Sequence, residues 1–552
     1  EHLAYAAALL RRAKDHVDRA FGDLNEDERR FAHVVPARLF GLIRQTLYLG
    51  ALRQQNEALY GSLVGSVVLT DRIQRAELVA AAQILARLDD PNWHRSVQRA
   101  LRRAEPLGSD ALPSGFEGEI LALLETEDVG RLLIGGAEPN EYAGEASFIL
   151  DLGGDDRWSG LGAGGVRPLV AAEGVDLTTE PLPLPVNVRI DLGGDDEWSA
   201  EGSSAQTPTF GLGSAHAGVA LLSDRSGNDT YLGGLNSLGA AAYGVGLLLD
   251  HEGDDTYRAD SFSLGVGFAG LGVALDLSGD DRWTATTYAA GAGLPRGAGL
   301  FLDVAGDDTI SISGSNATPP IGSTYGTDGA FHGMVLGIGL GLRGIPGQND
   351  PSVSGGGVGV AWNGEGNDTY VGGEFGFGVG YFYAAGIFRD DEGDDSYEAS
   401  RYGIATGAHQ GQGVFVDLEG DDRYRNSSVA AIAGNWDTMM TSFLDLEGDD
   451  VYELSAGLGL GAATITSIAL FVDAEGEDRY EARGANVLGD GGHASDGARG
   501  TQSFGFFLDQ GRDEDSYQRG GSTPRTDGDR RLDPKVTDGQ TLGHGLFIDE
   551  GS

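Results

Sequence analysis

The residues of this 552-residue chain best equipped for chemistry are its aspartates, and they recur in one short phrase. The phrase reads h-x-h-D-x-x-G-[DN]-D-x-aromatic, where h is apolar; "DHEGDDTY", "DLSGDDRW", "DLEGDDRY" and "DLEGDDVY" are four copies. A leading carboxylate stands at Asp151, Asp191, Asp224, Asp250, Asp276, Asp303, Asp390, Asp417, Asp445, Asp473 and Asp509, with Asn363 replacing it once. Five residues on, or slightly more, come the pairs Asp155/Asp156, Asp195/Asp196, Asp254/Asp255, Asp280/Asp281, Asp307/Asp308, Asp394/Asp395, Asp421/Asp422 and Asp449/Asp450, and the single members Asp229, Asp368, Asp478 and Asp515. Carboxylates this dense repel one another, by several times more in a partly desolvated turn than in water. Divalent cations are the simplest relief. Calcium takes six to eight oxygens from carboxylates and carbonyls, and the absence of cysteine with scattered histidine disfavours zinc and copper. All of these aspartates are therefore candidate calcium ligands, several ions in number. A turn alone explains the Gly-Asp pair, but not a fixed carboxylate five residues ahead of it.

The spacing of the phrase defines the element that carries it. Measured on the second Asp, it repeats every 26 to 28 residues where uninterrupted, with longer gaps marking insertions near 160–186, 311–360, 484–500 and 520–540. The 60-residue gap before Asp368 leaves room for a degenerate repeat around "MVLGIGLGLRGIPGQND". Apolar residues alternate before the Asp, "xxGDD" supplies turn chemistry, and an aromatic opens the next strand. One unit thus reads strand, acidic turn, strand, glycine-rich return, which fits one coil of a parallel β-solenoid; propeller blades need about 40 residues or more. Stacking at about 4.8 Å per coil would turn each position into a column. An aromatic ladder is expected on the core edge with Tyr hydroxyls reaching water, a metal-lined acidic column beside it, and the stripe Phe301, Phe388, Phe415, Phe443, Phe471, Phe507 and Phe547 on the opposite face from the core, open to partners or self-association.

Residues 1–130 read differently. Apolar residues at three- and four-residue spacing in "LAYAAALLRRAKDHVDRAF" and "RIQRAELVAAAQILARLDD" predict an α-helical domain of five to seven helices. Residues 131–142 are expected as linker and 143–552 as the solenoid, giving a two-part α+β chain in which the helices cap the first coil or dock a partner. Residues 1–105 carry 16 basic and 13 acidic groups (net +3), leaving 22 and 71 (net −49) for the remainder. That field opposes binding to nucleic acid and anionic lipid. No apolar run approaches the roughly 20 residues of a transmembrane segment. The first residue, Glu1, and the final "FIDEGS", which reads as the start of another repeat, lead to the expectation of processed or truncated ends.

Residues 143–552 resemble the glycine-rich "GDDxY" repeat proteins of environmental bacteria. "GNDTY" at Gly227–Tyr231 and Gly366–Tyr370 resembles the G-x-D core of calcium-binding RTX repeats in secreted bacterial proteins, although the period is about 27 rather than nine and the GG-x-G lead is missing, so the RTX arrangement of sites does not transfer. The resemblance implies a bacterial extracellular, cell-surface or periplasmic setting. The expected function is a non-enzymatic structural, adhesive or scaffold role. The alternatives are a β-helix carbohydrate-active enzyme, with its site where the pattern breaks at 311–360 near His332, and an accessory subunit of a large envelope complex.

Overall fold

The computed structural model describes residues 1–43, 57–168, 182–200, 209–342, 354–484, 486–511, 514–519, 528, 530–537 and 540–550, without side chains for 35–43, 57–60, 63, 519 and 537. Parts of the insertions expected at 160–186, 311–360 and 520–540 fall outside these residues. The chain divides into two compact units, Glu1–Arg282 with Arg296–Leu300, and Trp283–Pro295 with Phe301–Ser552.

The repeats contribute strands to two long, mostly parallel sheets, and eight of their returns add a two-residue strand to one of two short parallel sheets of three and five strands. The strand before the acidic turn lies in the leading sheet and the strand after it in the aromatic sheet. In unit 1 the leading strands Val186–Ile190, Val219–Ser223, Val245–Leu249 and Leu271–Leu275 pair in register, Val188, Leu221, Leu247 and Val273 forming one column. In unit 2 Val358–Trp362, Ala385–Arg389, Gln412–Val416, Met440–Asp445, Ile468–Asp473, Ser503–Asp509 and Gln540–Asp549 do the same. Aromatic strands follow equally, with Tyr370, Tyr397, Tyr424, Tyr452, Tyr480 and Tyr517 in one column. Ile310 pairs directly with Tyr370. Among the described residues no extra repeat therefore intervenes in the 60-residue gap; "MVLGIGLGL" supplies the return strand Gly339–Leu340, and 343–353 lie outside the described residues.

The facing of the leading strand is the reverse of the expectation. Phe388, Phe415, Phe443, Phe471, Phe507 and Phe547 are buried, as is Phe301, whereas Val414, Val416, Leu470 and Val472 lie half-exposed on the outer face. The Phe rings stack 4.9 to 5.0 Å apart within 6° of parallel and meet the Tyr column edge-on, as at Tyr397 and Phe415, 5.2 Å apart and 84° inclined. Two perpendicular aromatic ladders thus fill the interior of unit 2, the edge-to-face geometry matching ring edges to ring faces. Every second inward position on the same strands is small, Gly359, Gly386, Gly413, Thr441 and Ala469, because return-segment backbone passes against it: a Cβ on Gly386 would overlap the Val379 carbonyl. The Phe stripe is therefore core and offers nothing to a partner.

The helical region holds α1 (His2–Ala20), α2 (Glu26–Ile43), α3 (Glu57–Leu69), α4 (Arg75–Leu85) and α5 (Pro91–Leu101). In "DDPN" Asp90 accepts the Asn92 amide at 2.8 Å while Pro91 takes the first turn, a capping pattern that costs no backbone donor. No described helix is long and apolar enough to cross a membrane. The helices lie on a sheet face rather than over its edge: α1 packs on Gly130–Gly135 and Val186–Ile190, and α4 on Val219–Ser223 and Val245–Leu249. Hydrogen bonds from Tyr243 Oη to the Ser66 carbonyl (2.6 Å) and between His216 Nε2 and the Ala32 carbonyl (2.7 Å) fasten them. The strand edge itself is covered by an antiparallel hairpin, Ile120–Thr126 with Gly130–Gly135, so most of the stretch expected as linker is strand. A second antiparallel strand, Arg530–Thr537, covers Gln540–Asp549. Both devices withhold an unpaired edge from other chains.

Candidate metal centre

The acidic turn places its carboxylates in two different environments. The turn glycine takes a positive φ, +153° at Gly420, and a Cβ there would collide with the Gly393 carbonyl of the preceding repeat, so the repeats approach too closely for any other residue. The first member of each pair points outward. Asp155, Asp195, Asp254, Asp280, Asp307, Asp394, Asp421 and Asp449 are exposed, and their Oδ1 atoms accept the amide of the corresponding residue one repeat later, 3.1 Å from Asp195 N to Asp155 and 3.0 Å from Asp421 N to Asp394. The second member points inward and accepts from the opposite direction. Asp156, Asp196, Asp229, Asp255, Asp368, Asp395, Asp422, Asp450, Asp478 and Asp515 are buried, and within each unit their Oδ1 atoms take the amide of the repeat before at 2.6 to 2.8 Å.

The leading aspartates end their strands with side chains 0 to 1 % exposed. Oδ1 of Asp151, Asp191 and Asp276 accepts an amide of its own turn at 2.7 to 3.0 Å. Oδ2 accepts from the aromatic residue of the repeat before: Asp250 from Tyr231 (2.5 Å), Asp276 from Tyr257 (2.6 Å), Asp390 from Tyr370, Asp445 from Tyr424 and Asp473 from Tyr452 (2.7 Å each), and Asp417 from Tyr397 (2.9 Å). Trp can take the role because its indole N–H is a donor, as Trp198 does to Asp224 at 3.1 Å and Trp283 to Asp303 at 2.9 Å, whereas Trp158 Nε1 has no partner. The aromatic rings are fully buried, apart from half-buried Tyr517, and 4.7 to 5.0 Å apart in the Tyr columns. Their hydroxyls meet carboxylates, not the solvent expected from the sequence. The two exceptions in the repeat fall together. Ile310, the one aromatic slot without a donor, precedes Asn363, the one leading position without a carboxylate, and Asn363 Nδ2 donates to Asp368 Oδ2 at 2.5 Å.

Inward and leading carboxylates converge. Asp151, Asp156 and Asp191 offer oxygens within 4.8 Å of one another, as do Asp191/Asp196/Asp224, Asp229/Asp250/Asp255 and Asp255/Asp276/Asp281. Several oxygens in these columns have no hydrogen-bond partner, among them Oδ2 of Asp156, Asp196 and Asp229 and Oδ1 of Asp390, Asp417, Asp445 and Asp473. Burial pushes the leading carboxyls up, to about 6 at Asp151, Asp390 and Asp445 and about 7 at Asp250, with the Tyr and amide donors holding them back. Leading Asp191, Asp224, Asp417 and Asp473 are raised well above the ordinary carboxyl range, and the inward carboxyls are raised too, to about 7 at Asp229, about 8 at Asp196, Asp422 and Asp478 and about 10 at Asp156, Asp255 and Asp395; burial is the main cause throughout, and at Asp156, Asp255 and Asp395 repulsion by the leading carboxylate adds to it. Such a column must take up positive charge, as protons or as cations. An all-oxygen set with free lone pairs suits calcium or magnesium rather than a softer metal.

The interruption at 311–360 holds a different network. Buried Glu374 accepts from Ser323 Oγ and, at 2.7 Å, from the Thr324 amide, and Thr324 Oγ1 meets His332 Nδ1 at 2.8 Å. His332 is itself buried, its basicity pushed down to about 4 by desolvation. These contacts brace the loop. His409 pairs with Asp437 Oδ2 at 2.6 Å and His493 caps a short helix, Ala494–Arg499. No protein family, curated protein or solved structure matches the chain.

Proposed function

We propose that this protein is a non-enzymatic scaffold, an acidic β-solenoid whose buried carboxylate columns are neutralised by divalent cations, calcium foremost, in a bacterial extracellular or cell-surface setting. The observation that carries the reading is the repetition of one buried carboxylate cluster, with partnerless oxygens, from repeat to repeat. A catalytic constellation occurs once; a device for holding successive repeats together occurs in all of them. Oxygen-only sites of modest affinity suit the calcium concentrations outside cells. The rigid interior of stacked rings and the covered strand edges fit a spacer better than a chemical catalyst.

A second reading has its own support. The coincidence of Ile310 with Asn363 ties the leading carboxylate to its aromatic donor, as expected if hydrogen bonds and retained protons, rather than cations, balance the column. Metal analysis of the purified chain, with unfolding in calcium and in chelator, separates the two. Bound calcium at several ions per chain and a large loss of stability in chelator support the first; a metal-free protein indifferent to chelator leaves the second.

A further inference from the structure

The outer face of the leading sheet in unit 2 is largely apolar over seven adjacent strands, broken in its side columns by Arg389, Gln412 and His544. Its central column runs Val360, Ile387, Val414, Leu470, Phe506 and Leu546, interrupted only by Ser442. Val358, Met440 and Ile468 in the column to one side are 45 to 50 % exposed, and the column to the other includes Trp362, Val416, Leu444 and Val472, all half-buried. Seven strands at about 4.8 Å and five residues at about 3.3 Å give a face of roughly 34 by 16 Å, about 500 Å². That is at the upper end of what a monomer leaves uncovered.

The same repeat positions in unit 1 show what covers such a face. There Val188 and Leu221 are at most 1 % exposed because α1 and α4 lie across their strands. The rim position after the leading Asp is Arg225, which binds Asp89 at the end of the helical layer at 2.8 Å. In unit 2 that rim position is Gly364, Asp391, Leu418, Leu446, Ala474 or Gln510, the acid among them paired with Arg389, and exposed Glu392, Glu419, Glu447 and Glu475 stand beside it. The cover suited to unit 2 is thus helical like that of unit 1, with the opposite rim charge. A second copy fits poorly, because two acidic rims would be brought together. We infer that this face of unit 2 docks a pair of amphipathic α-helices, with basic flanks, from a partner protein. About 34 by 16 Å accommodates two helices, each about 10 Å across. The inference is independent of what neutralises the buried carboxylates, and it replaces the Phe stripe as the contact surface.

The test uses the full chain and a labelled leucine/lysine amphipathic helical peptide, with a leucine/glutamate peptide of the same pattern as control. Val414→Glu with Leu470→Glu adds negative charge to the face, so binding driven by charge alone grows stronger while docking on the apolar columns weakens. Anisotropy titration is expected to show the lysine peptide weakened about tenfold or more by the double variant and the glutamate peptide bound poorly. Val414→Thr with Leu470→Thr, which keeps strand-compatible residues, is expected to weaken it in the same direction if the charged variant fails to fold. Unchanged or tighter binding to a folded variant overturns the inference. So does light scattering that finds a dimer of the native chain dissolved by either variant, which would give the face to a second copy.

Discussion

Replacing Asp422 by Asn changes one buried oxygen to an amide with almost no change in shape. Asp422 accepts the Asp395 amide at 2.7 Å through Oδ1 and the Tyr424 hydroxyl at 3.0 Å through Oδ2. An Asn keeps the first contact and turns its amide toward the leading carboxylate, as Asn363 turns toward Asp368. Burial raises the Asp422 carboxyl from 3.8 to about 8 in the folded chain. A group raised on folding contributes its full stability below the unfolded value, and that contribution is lost as pH rises from 3.8 toward 8. At pH 7 most of the loss has occurred, up to about 4 kcal/mol. Asn does not titrate. In chelator at pH 7, Asp422→Asn is therefore expected to stabilise the protein by as much as that, and the gain should shrink toward zero at pH 4. With saturating calcium the sign should reverse, because Asn removes an anionic ligand that the cation needs. Equilibrium denaturation of both proteins, in chelator and in calcium at each pH, reads the whole cycle. A gain identical with and without calcium refutes the cation; a loss of stability in chelator refutes the argument from burial.

Three further outcomes follow from the same geometry. Tyr424→Phe deletes a hydroxyl that reaches Asp417, Asp422 and Asp445 at 2.7 to 3.0 Å, and denaturation should show a loss of about 1 to 3 kcal/mol; a neutral result would mean that the Tyr ladder works by stacking alone. Phe443→Ala should cost about 3 to 5 kcal/mol as a cavity, while Val414→Ser on the outer face should cost under about 1 kcal/mol in the free chain; equal costs would return the Phe to the outside. His216, packed under α2 against His33, Phe210 and Tyr243, is pushed down to about 3 by burial, with His33 adding repulsion. Its stability contribution is present above the unfolded value near 6.5 and is lost as pH falls, about 2 kcal/mol at pH 5. His216→Phe, copying Phe268 two repeats on, should flatten that part of the pH 5 to 7 dependence, and an unchanged slope would place the titration elsewhere.

The sequence by itself determined the repeat and its register. Asp and aromatic residues at fixed offsets become columns as soon as equivalent residues pair, and the ring spacings of 4.7 to 5.0 Å are those of adjacent strands. The convergence of the leading Asp with the second of each pair was legible for the same reason. The separation of the two pair members was not: adjacent residues in a turn look alike in sequence, and only the close passage at the turn glycine sends Asp421 outward and Asp422 inward.

Which face of the leading strand meets the core was decided by tertiary structure alone. In "VFVD" and "LFVD" both faces are apolar, so period-two alternation carries no contrast to choose by. The interior chose Phe, because the perpendicular Tyr column needs ring edges against its faces. The return segments were equally unreadable. Their corners are made by Phe262, Leu264, Leu458 and Leu460 at φ of +49° to +69°, a conformation that costs such residues about 1 to 2 kcal/mol each and that stacking of successive repeats sustains. A local sequence records which residues recur; the side each one takes, and the strain it bears, depend on what the neighbouring repeats press against it.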